Sequence, residues 1–406
     1  MEYRVKVNGE RDKMRTPYYL IHENILDDGI KSLKEALGEY WPNAVVGYSF
    51  KTNSLPWILS HMKEQGFWAE VVSEDEYELA ECLGYSHIIY NGPVKGKDSF
   101  LRACNAGHIV NLDSARELVW LREAAVEKEV HVGIRVNFDL EAMCPGEASE
   151  GEEGGRFGFS YENGSFQAAL DELKRIPHVR LAGIHLHCSS KTRSLNIYRA
   201  IAQMACRIHR ECGLKLDYID VGGGFFGGLP DKPQYKDYFK VISEVLSEEF
   251  SPRDTCLIVE PGTSLVSAPI DYVTTVIDVK ATNRNQFIVT DGSRIHVDPR
   301  MRKEHYFYHI HRANGSRQES EEHRQIISGF TCMEDDRLFC LEDEPLLACG
   351  DQIVYEKVGA YTMCLSPLFI EYFPAVYLKR GDETICVRER WTAHEYMQGT
   401  SNRSEG

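Results

Sequence analysis

The segment VVGYSFKTNSLPWILSHMKEQGFWAEVVS, residues 45–73, contains an apolar strand, an amphipathic helix and a second apolar strand. The first strand covers residues 45–50, and Gly66 ends the helix. Lys51 directly follows the first strand. Because a buried ammonium is costly unless it is paired or neutralised, this lysine either extends its head into water or has a chemical role.

The same strand–helix unit recurs along the first two thirds of the chain. Strand-like runs include HIIYNG, HVGIRVNF and TCLIVEPG, and helix-like runs include ARELVWLREAAVEKE. About eight such units within roughly 250 residues predict a parallel sheet that closes into a (β/α)8 (TIM) barrel. An open, doubly wound α/β sheet is the alternative architecture.

After about residue 268 the pattern changes to strands with few helices. IDYVTTVIDVKAT, NQFIVTDG and DQIVYEKVGAYTM predict a separate β-domain of sandwich or barrel type, and the opening EYRVKVNG is a strand expected to join it. The expected divisions are an N-terminal strand in residues 1–20, the barrel in 21–268, the β-domain in 269–396 and a disordered tail in 397–406.

Bulk composition excludes some classes of partner. The net charge of −16 argues against nucleic acid and anionic membrane surfaces. The twelve cysteines include no CxxC pair, so no zinc or other metal site is expected. The N-terminal residues lack the apolar region of a signal peptide, and no apolar run is long enough to cross a membrane. We therefore expect a cytoplasmic protein with reduced thiols.

One barrel segment, residues 139–160, is rich in glycine and glutamate. This composition predicts a long mobile loop. The loop is either simply solvated or a lid that closes over a substrate, and the sequence leaves both possibilities open.

Polar and small residues follow four predicted barrel strands, where the active sites of such barrels lie. These residues are Lys51, His187 with His185, the run Gly222–Gly224, and Glu260. Pyridoxal 5′-phosphate (PLP) needs each of these groups. Its aldehyde reacts with a lysine amine, its phosphate suits a glycine-rich backbone nest, and its pyridine nitrogen needs a carboxylate to stay protonated. We expect His185 to point away from His187 and to be structural.

With these residues in place, the chain resembles the fold-type III PLP-dependent decarboxylases, which include diaminopimelate, ornithine and arginine decarboxylases. The resemblance covers nearly the whole chain in order. Its motifs are TPYYLIH at the start of the barrel, YSFKTN, EVVSEDEYELAECLG with Ser73 and Glu76, GIRVN, RFGFS, HLHCSS, VGGGF, EPG, GFTCMEDD and CGDQIVYEKVGAYTM.

The resemblance implies roles for the matching positions. Lys51 would bind PLP covalently, Glu260 would pair with the pyridine nitrogen, and His187 would stack on the ring. The residues implied to hold the phosphate are Ser190, Gly223, Gly224 and Tyr361. Cys332 would return a proton to the substrate carbon. In this family the cysteine comes from the partner subunit, so a homodimer with two shared active sites is implied.

Some positions depart from the family pattern. Thr263 stands where the family has an arginine on the phosphate, so either the phosphate is bound less tightly or Thr263 and Ser264 donate hydroxyls instead. Met333 stands where the family has an acid that recognises the distal amine of the substrate. The other departures are Ser189 for glycine and Ile370 for asparagine. They favour a specialised branch, in secondary metabolism, that acts on a modified or conjugated amino acid.

The hypothesis is PLP-dependent removal of the α-carboxylate from an amino acid or an amino-acid conjugate. The candidates for a clamp on the substrate carboxylate are Arg294, Arg300 and Arg302. One alternative is an amino-acid racemase, which needs a base on each face of the substrate, and Cys332 in its GFTC context favours decarboxylation over it. Another is a catalytically inactive, decarboxylase-like regulator, and retention of the reactive positions together argues against it.

Overall fold

The computed structural model describes residues 14–124, 128–313, 324–342 and 344–400. The chain divides into two units, one of residues 29–265 and one of residues 1–28 with 266–406. The first element in the described part of the chain is strand β1 (Tyr18–His22), which belongs to the second unit. Helix α1 (Glu23–Tyr40) follows it directly.

Eight parallel strands form a closed barrel within the described residues of the first unit. Their middles are buried on both faces, which explains why the sequence shows continuous apolar runs instead of alternation. They are β2 (Ala44–Ser49), β3 (Trp68–Val71), β4 (Ile88–Tyr90), β5 (Ile109–Leu112), β6 (Val130–Asn137), then β8 (Val179–His185), β9 (Tyr218–Asp220) and β10 (Cys256–Val259). The two-residue strand β7 (Phe159–Ser160) extends the sheet beside β6.

Helices follow most barrel strands. They are α2 (Pro56–Glu64), α3 (Glu74–Cys82), α4 (Lys97–Asn105), α5 (Ala115–Ala124), α6 (Leu140–Met143), α7 (Ser165–Leu173), α8 (Leu195–Cys212), α9 (Tyr235–Leu246) and α10 (Thr263–Val266), with 3₁₀ turns at Phe50–Thr52 and Gly151–Glu153. Pairing of β10 with β2 and of β5 with β6 completes the ring. The predicted barrel is therefore confirmed, and the open sheet is excluded.

Tyr218 fills part of the barrel interior because two glycines make room for it. A Cβ on Gly183 would lie 2.4 Å from the Tyr218 ring, and one on Gly133 would lie 2.0 Å from its hydroxyl oxygen. The Tyr218 hydroxyl donates to Asn111 Oδ1 over 2.8 Å. The interior is thus packed around one aromatic ring whose polar end is satisfied.

The second unit is a mostly antiparallel sheet. Its strands are β1, β11 (Ile270–Ala281), β12 (Gln286–Thr290), β13 (Phe307–His311), β14 (Gln325–Ser328), β15 (Arg337–Leu341), β16 (Gln352–Glu356), β17 (Ala375–Arg380) and β18 (Glu383–Arg388). Two short helices accompany them, α11 (Arg294–Val297) and α12 (Ala393–Tyr396). The long strand β11 pairs with β1, β12 and β16. A separate β-domain, as predicted, is confirmed.

The terminal segments differ in detail from the expectations. The expected boundary between the N-terminal strand and the barrel, at residue 20, falls inside β1, which pairs with β11 and β17 in the second unit. The strand-like EYRVKVNG lies outside the described residues. Of the expected disordered tail, residues 397–400 are described as a turn after α12, and residues 401–406 lie outside the described part.

No helix in the described part of the chain is both long and apolar enough to span a bilayer. All twelve cysteines fall within the described residues, and none of them forms a disulfide there.

A fully buried ion pair joins the segment between β4 and α4 to helix α5. The Lys95 ammonium donates to Glu117 Oε1 over 2.9 Å, and neither side chain is exposed. The ammonium also donates to the Gly92 and Asn111 carbonyl oxygens. Glu117 Oε2 accepts the Asp113 backbone N–H over 2.6 Å. The pair therefore stabilises the segment that leads from β5 into α5, and each charge depends on the other.

Replacing Lys95 with Met should lower the free energy of unfolding by about 3–5 kcal/mol, because Glu117 would remain as an uncompensated buried charge. The double variant K95M/E117Q should recover a large part of the loss, since glutamine removes the charge. Chemical denaturation followed by circular dichroism measures both. The matched control is K97M, which breaks the exposed pair of Lys97 with Glu123 and should leave the unfolding midpoint nearly unchanged. Equal effects of K95M and K97M would refute this account.

Candidate active site

Lys51 lies at the carboxyl end of β2, in the 3₁₀ turn that follows it. Its ammonium donates to Glu70 Oε2 over 2.6 Å, and the Ser49 hydroxyl donates to the same oxygen over 2.7 Å. The Lys51 side chain is 37% exposed, whereas the Glu70 side chain is 1% exposed. Lys51 therefore faces the barrel mouth and remains accessible to a ligand, while the Glu70 carboxylate that pairs with it is buried.

Glu260 lies at the end of β10 and joins the same hydrogen-bond network. Asn91 donates from one amide nitrogen to Glu260 Oε1 over 2.5 Å and to Glu70 Oε1 over 3.1 Å. Asn111 donates to Asn91 Oδ1 over 2.8 Å. Residues from β2, β3 and β5 and from the segments after β2, β4 and β10 thus meet at one end of the barrel. The structure brings Lys51 and Glu260 together through Glu70 and Asn91.

A second carboxylate, Asp220 at the end of β9, lies beside Glu260. Burial raises the pKa of Asp220 well above its ordinary value, and the Glu260 charge adds to the rise. Burial acts in the same direction on Glu260, but His185 and Lys51 lower its pKa below the usual range. Near neutral pH, Asp220 therefore carries the proton of this pair and Glu260 carries the negative charge.

The two histidines of HLHCSS share one face, so the expectation that they point in opposite directions was wrong. Their rings are nearly parallel, with centroids 6.3 Å apart. Residues two apart in an extended chain project to the same side, which is the physical reason. His185 is 1% exposed, and its Nε2 lies 3.6 Å from Glu260 Oε2, so it belongs to the site.

His187 lies above this cluster and is neutral. Burial, together with the Arg135 charge, lowers its pKa to about 3. The Gly223 N–H donates to His187 Nδ1 over 3.3 Å, which leaves the proton of the neutral ring on Nε2. Arg135 donates to the His187 carbonyl oxygen over 3.2 Å and holds this segment in place.

The glycine run forms a backbone nest beside His187. Gly222 and Gly224 have φ of +71° and +92°, which residues with a side chain rarely adopt. A Cβ on Gly223 would lie 2.0 Å from the Glu260 carbonyl oxygen. Within the described residues, the N–H groups of Gly224 and Phe225 donate to no protein acceptor. Two free donors at such a turn suit an anion.

Ser190 lies in the segment after β8. Its hydroxyl oxygen accepts the Arg193 backbone N–H over 3.0 Å, and it forms an isolated bridge with Ala148. Its hydroxyl hydrogen remains available to another acceptor. The role of Ser190 toward a phosphate stays a prediction.

Cys332 and Tyr361 belong to the second unit, and their part in the site stays a prediction. Cys332 is exposed in the loop between β14 and β15. Buried Asp336 organises that loop, because it accepts from Thr331 Oγ1 over 2.6 Å and from the Arg294 N–H over 2.8 Å. Tyr361 is 40% exposed and has φ of +55°, a strained backbone for a residue with a side chain.

The remaining sequence candidates are the three arginines proposed to bind the substrate carboxylate and the two hydroxyl residues after the EPG motif. Arg294 is bound to Asp298 by its Nε and Nη2, at 3.1 and 3.0 Å, so it already has a structural partner. Arg300 and Arg302 form no ion pair among the residues described. Thr263 begins α10 and is half-buried, and Ser264 is buried. Their roles stay predictions.

A cavity of about 370 Å³ opens beside His187 and Arg135. Its other wall is the glycine- and glutamate-rich segment, with acids at residues 139, 141, 150, 152 and 153. Glu147 anchors this segment, because its carboxylate accepts from Thr192, Ser194 and Asn196. The segment therefore contacts the region after β8 and forms one wall of a pocket.

These residues fit PLP. The buried imidazole of His185 has no hydrogen-bond partner in the described residues, and a Cβ would fill the space at Gly223. An amine, a buried carboxylate and a nest of free N–H groups suit the aldehyde, pyridine nitrogen and phosphate. The ligand atoms of His185, Asp220 and Glu260 also lie within 4.8 Å of one another, a spacing that suits a metal ion. The nest and Lys51 have no role in metal binding and favour PLP.

The sequence interpretation missed Glu70, Asn91, Asp220 and Arg135. A signal was present for each of them, since each is a polar residue inside or directly after an apolar strand: FWAEVV, HIIYN, YIDV and GIRVN. Polar residues at the carboxyl ends of barrel strands are expected to face the active site.

Glu76, at the start of α3, lies near this network. Its Oε2 accepts the Val72 backbone N–H over 2.8 Å, and Ser73 caps the helix by accepting the Glu76 N–H. Burial raises the pKa of Glu76 to about 7, and the Glu70 charge adds to the rise.

Comparison with known families and proteins places these residues in a wider context. The family described as pyridoxal-dependent decarboxylase, pyridoxal binding domain, matches residues 26–267, more than half of the chain. A probable chloroplastic diaminopimelate decarboxylase from Oryza sativa subsp. japonica is 28% identical over 408 residues, 96% of this chain and 80% of that protein. The L-glutamyl-(BtrI acyl-carrier protein) decarboxylase of Niallia circulans is 26% identical and covers 95% of this chain and 94% of that protein.

Solved structures show the same fold. Diaminopimelate decarboxylase from M. jannaschii superposes with a TM-score of 0.84 at 23% identity, and it covers 97% of this chain and 94% of that chain. The arginine decarboxylase of Paramecium bursaria Chlorella virus gives a TM-score of 0.75 at 20% identity, with 90% and 97% covered.

Glu76 should make stability depend on pH. Its pKa rises from 4.5 in the unfolded chain to about 7 in the folded chain, so its stabilising contribution is complete below about pH 4.5 and is lost as the pH rises through 7. Relative to E76Q, the cofactor-free wild type should lose on the order of 2 kcal/mol between about pH 5 and 8. Denaturation at several pH values measures the difference.

The matched control is E78Q, which removes an exposed charge from the same helix. Its pH dependence should equal that of the wild type. Identical pH dependence of the wild type and E76Q would show that Glu76 does not titrate in this range.

Proposed function

The chain belongs to the pyridoxal-dependent decarboxylase family, and from that premise we propose which of its residues hold the cofactor and carry out the reaction. The enzyme is a PLP-dependent amino-acid decarboxylase. The observation that carries the assignment is the buried network Lys51–Glu70–Asn91–Glu260 at one end of the barrel. It presents an amine and a carboxylate to one ligand.

We propose that Lys51 is the covalent attachment point of PLP and that Glu260 pairs with its pyridine nitrogen. His187 covers the ring face, and its neutral state suits an aromatic neighbour. The residues proposed to hold the phosphate are Ser190, Gly223, Gly224 and Tyr361. When bound, PLP accepts the electron pair left at the α-carbon as carbon dioxide departs.

The chain's own residues prepare this chemistry. Glu70, within 2.6 Å of the Lys51 nitrogen, holds the head of Lys51 at the barrel mouth, where the aldehyde would meet it. Glu260 stays ionised because Asp220 carries the proton of the pair and because Lys51 and His185 lie nearby. A charge held in a dry site stabilises a neighbouring cation far more than it would in water.

We propose that Cys332 delivers the proton that replaces the lost carboxylate. A thiol is a suitable acid near neutral pH. Asp336 holds the residues that precede Cys332, because it accepts from the Thr331 hydroxyl and its carbonyl oxygen accepts the Gly329 N–H over 3.0 Å. The loop would therefore hold the Cys332 thiol in place while its proton is transferred to the substrate.

For the substrate, we propose an amino acid that is modified or conjugated, rather than a free diamino acid. Met333 follows Cys332 and offers no charge to a distal amine. The Niallia circulans relative is named for a glutamyl group on an acyl-carrier protein, a conjugate of this kind. The acid-lined wall at residues 139–153 would then serve as a lid over the pocket.

We also propose a homodimer in which each site takes Cys332 from the partner subunit, and a cytoplasmic location. The lack of disulfides among the twelve cysteines, all of which the structure describes, fits a reducing compartment.

Wild-type protein should be yellow and should convert its substrate with loss of carbon dioxide and uptake of one deuterium at the α-carbon in heavy water. Mass spectrometry with a panel of L- and D-amino acids and their acylated and carrier-bound forms measures this. K51A should lose both the colour and turnover, because no amine remains to bind the aldehyde. K63A, which removes a lysine from the nearby helix α2, should retain both. Deuterium uptake without loss of carbon would instead support a racemase.

Mixing K51A with C332A tests the shared site. Each variant alone should be inactive or nearly so, whereas mixed dimers contain one site with both residues intact. Random exchange should restore about one quarter of wild-type activity, since half of the dimers are mixed and half of their sites are complete. Activity after mixing that stays at the sum of the separate variants would contradict a cysteine supplied by the partner. A mixture of K51A with K51A/C332A is the control and should stay inactive.

A further inference from the structure

We propose that Arg193 supplies the positive charge that binds the phosphate of PLP at the glycine nest. This inference rests on the proposed function, and it assigns a residue that no sequence motif indicated. A phosphate bound only by neutral backbone groups would lack a counter-charge, and Thr263 at the end of the EPG motif provides none.

The backbone of Arg193 is strained and fixed. Its φ is +51°, in the left-handed region that arginine rarely occupies. Its N–H donates to Ser190 Oγ over 3.0 Å, and its carbonyl oxygen accepts from the Tyr238 hydroxyl over 2.7 Å. Strain of this kind is unfavourable and persists where the surroundings hold it, often at a ligand site. The conformation aims the side chain in one direction.

That direction is toward the glycine run. Arg193 Nη1 lies 3.5 Å from the Phe225 carbonyl oxygen, and the guanidinium carbon lies 5.4 Å from the centre of the Phe226 ring. Phe225 directly follows Gly224, whose N–H is one of the two free donors of the nest. The guanidinium therefore lies along the backbone that provides the donors.

The charge of Arg193 is not neutralised by any carboxylate in the described part of the chain. Within the described residues, no carboxylate oxygen lies within 4.0 Å of its guanidinium nitrogens. Glu147, the acid that contacts the same segment, is bound instead to the hydroxyls of Thr192 and Ser194 and to Asn196. Lys232 also lies over the Phe226 ring, at 5.9 Å, but it is paired with Asp231.

Arg193 thus connects the two parts of the proposed phosphate site, because its backbone N–H donates to the Ser190 hydroxyl and its guanidinium lies beside the Phe225 carbonyl oxygen at the end of the nest. A planar guanidinium binds phosphate oxygens in a forked geometry and makes stronger hydrogen bonds than neutral donors do. The chemical class of the ligand is therefore a phosphate monoester dianion. In a pyridoxal-dependent enzyme, that phosphate belongs to the cofactor PLP.

The test compares PLP with pyridoxal, which has the same aldehyde and ring but no phosphate. The full-length protein is stripped of cofactor, and dissociation constants for both are measured by absorbance titration. R193N removes the charge, and asparagine tolerates a positive φ, so the loop should keep its shape. The PLP dissociation constant should rise about 10- to 100-fold, and that of pyridoxal should change less than about twofold.

R193K keeps the charge but loses the fork, so its PLP affinity should fall between those of the wild type and R193N. If R193N does not fold, the comparison of R193K with the wild type still decides the matter. The matched control is K232N, which removes the other cation near Phe226 and should bind both compounds as the wild type does.

Three results would overturn the inference: unchanged PLP affinity in R193N, equal weakening of PLP and pyridoxal, or a loss in K232N as large as in R193N. In each of these the wild type still binds PLP, so the proposed function would stand. Failure of the wild type to bind either compound would refute the proposed function itself and the role of Arg193 with it.

Discussion

Two carboxylates that are removed from water, Glu70 and Glu260, define this barrel mouth. Each side chain is 3% exposed or less, and each depends on donors from several strands. Lys51, Ser49 and Asn91 provide those donors, and Asn91 connects the two acids. Because an unpaired buried charge costs several kcal/mol, the strands must end in this arrangement for the fold to be stable. The chemistry of the site and the closure of the barrel therefore need the same arrangement of side chains at the strand ends.

Buried acids organise loops elsewhere in the chain as well. Asp336 accepts hydrogen bonds that shape the Cys332 loop, and Glu117 accepts the N–H groups that lead into α5. Asp351 does the same in the second unit, since its two oxygens accept the N–H groups of Ala313 and Ala348. A carboxylate with several backbone donors fixes a loop without regular secondary structure. Buried carboxylates that accept backbone N–H groups therefore shape loops in both units. Where such a loop contains a reactive or exposed residue, the carboxylate supports that residue.

The sequence predicted the barrel and the β-domain because their signals are periodic and local. Strand and helix alternate up to Glu260, and β-rich runs follow. It predicted Lys51 and Glu260 because each directly follows an apolar strand. It did not predict Glu70 or Asn91, since their importance comes from contacts between strands that are distant in sequence. The predicted orientation of His185 was wrong, because side chains two residues apart in an extended strand lie on the same face. The end of the N-terminal strand at His22 is set by long-range pairing of β1 with β11 and β17, which local patterns do not encode.

The attachment of Glu147 has a consequence for how this protein can evolve. One carboxylate joins the wall of the 370 Å³ pocket to the segment that carries Ser190 and Arg193. Mutations that reshape the pocket for a new substrate therefore also disturb the support of the neighbouring segment, so the two traits are not inherited independently. Lineages that change substrate by substitutions in residues 139–153 should carry compensating changes near residues 190–196. Laboratory selection for new substrates would reach further if both segments were varied in the same library.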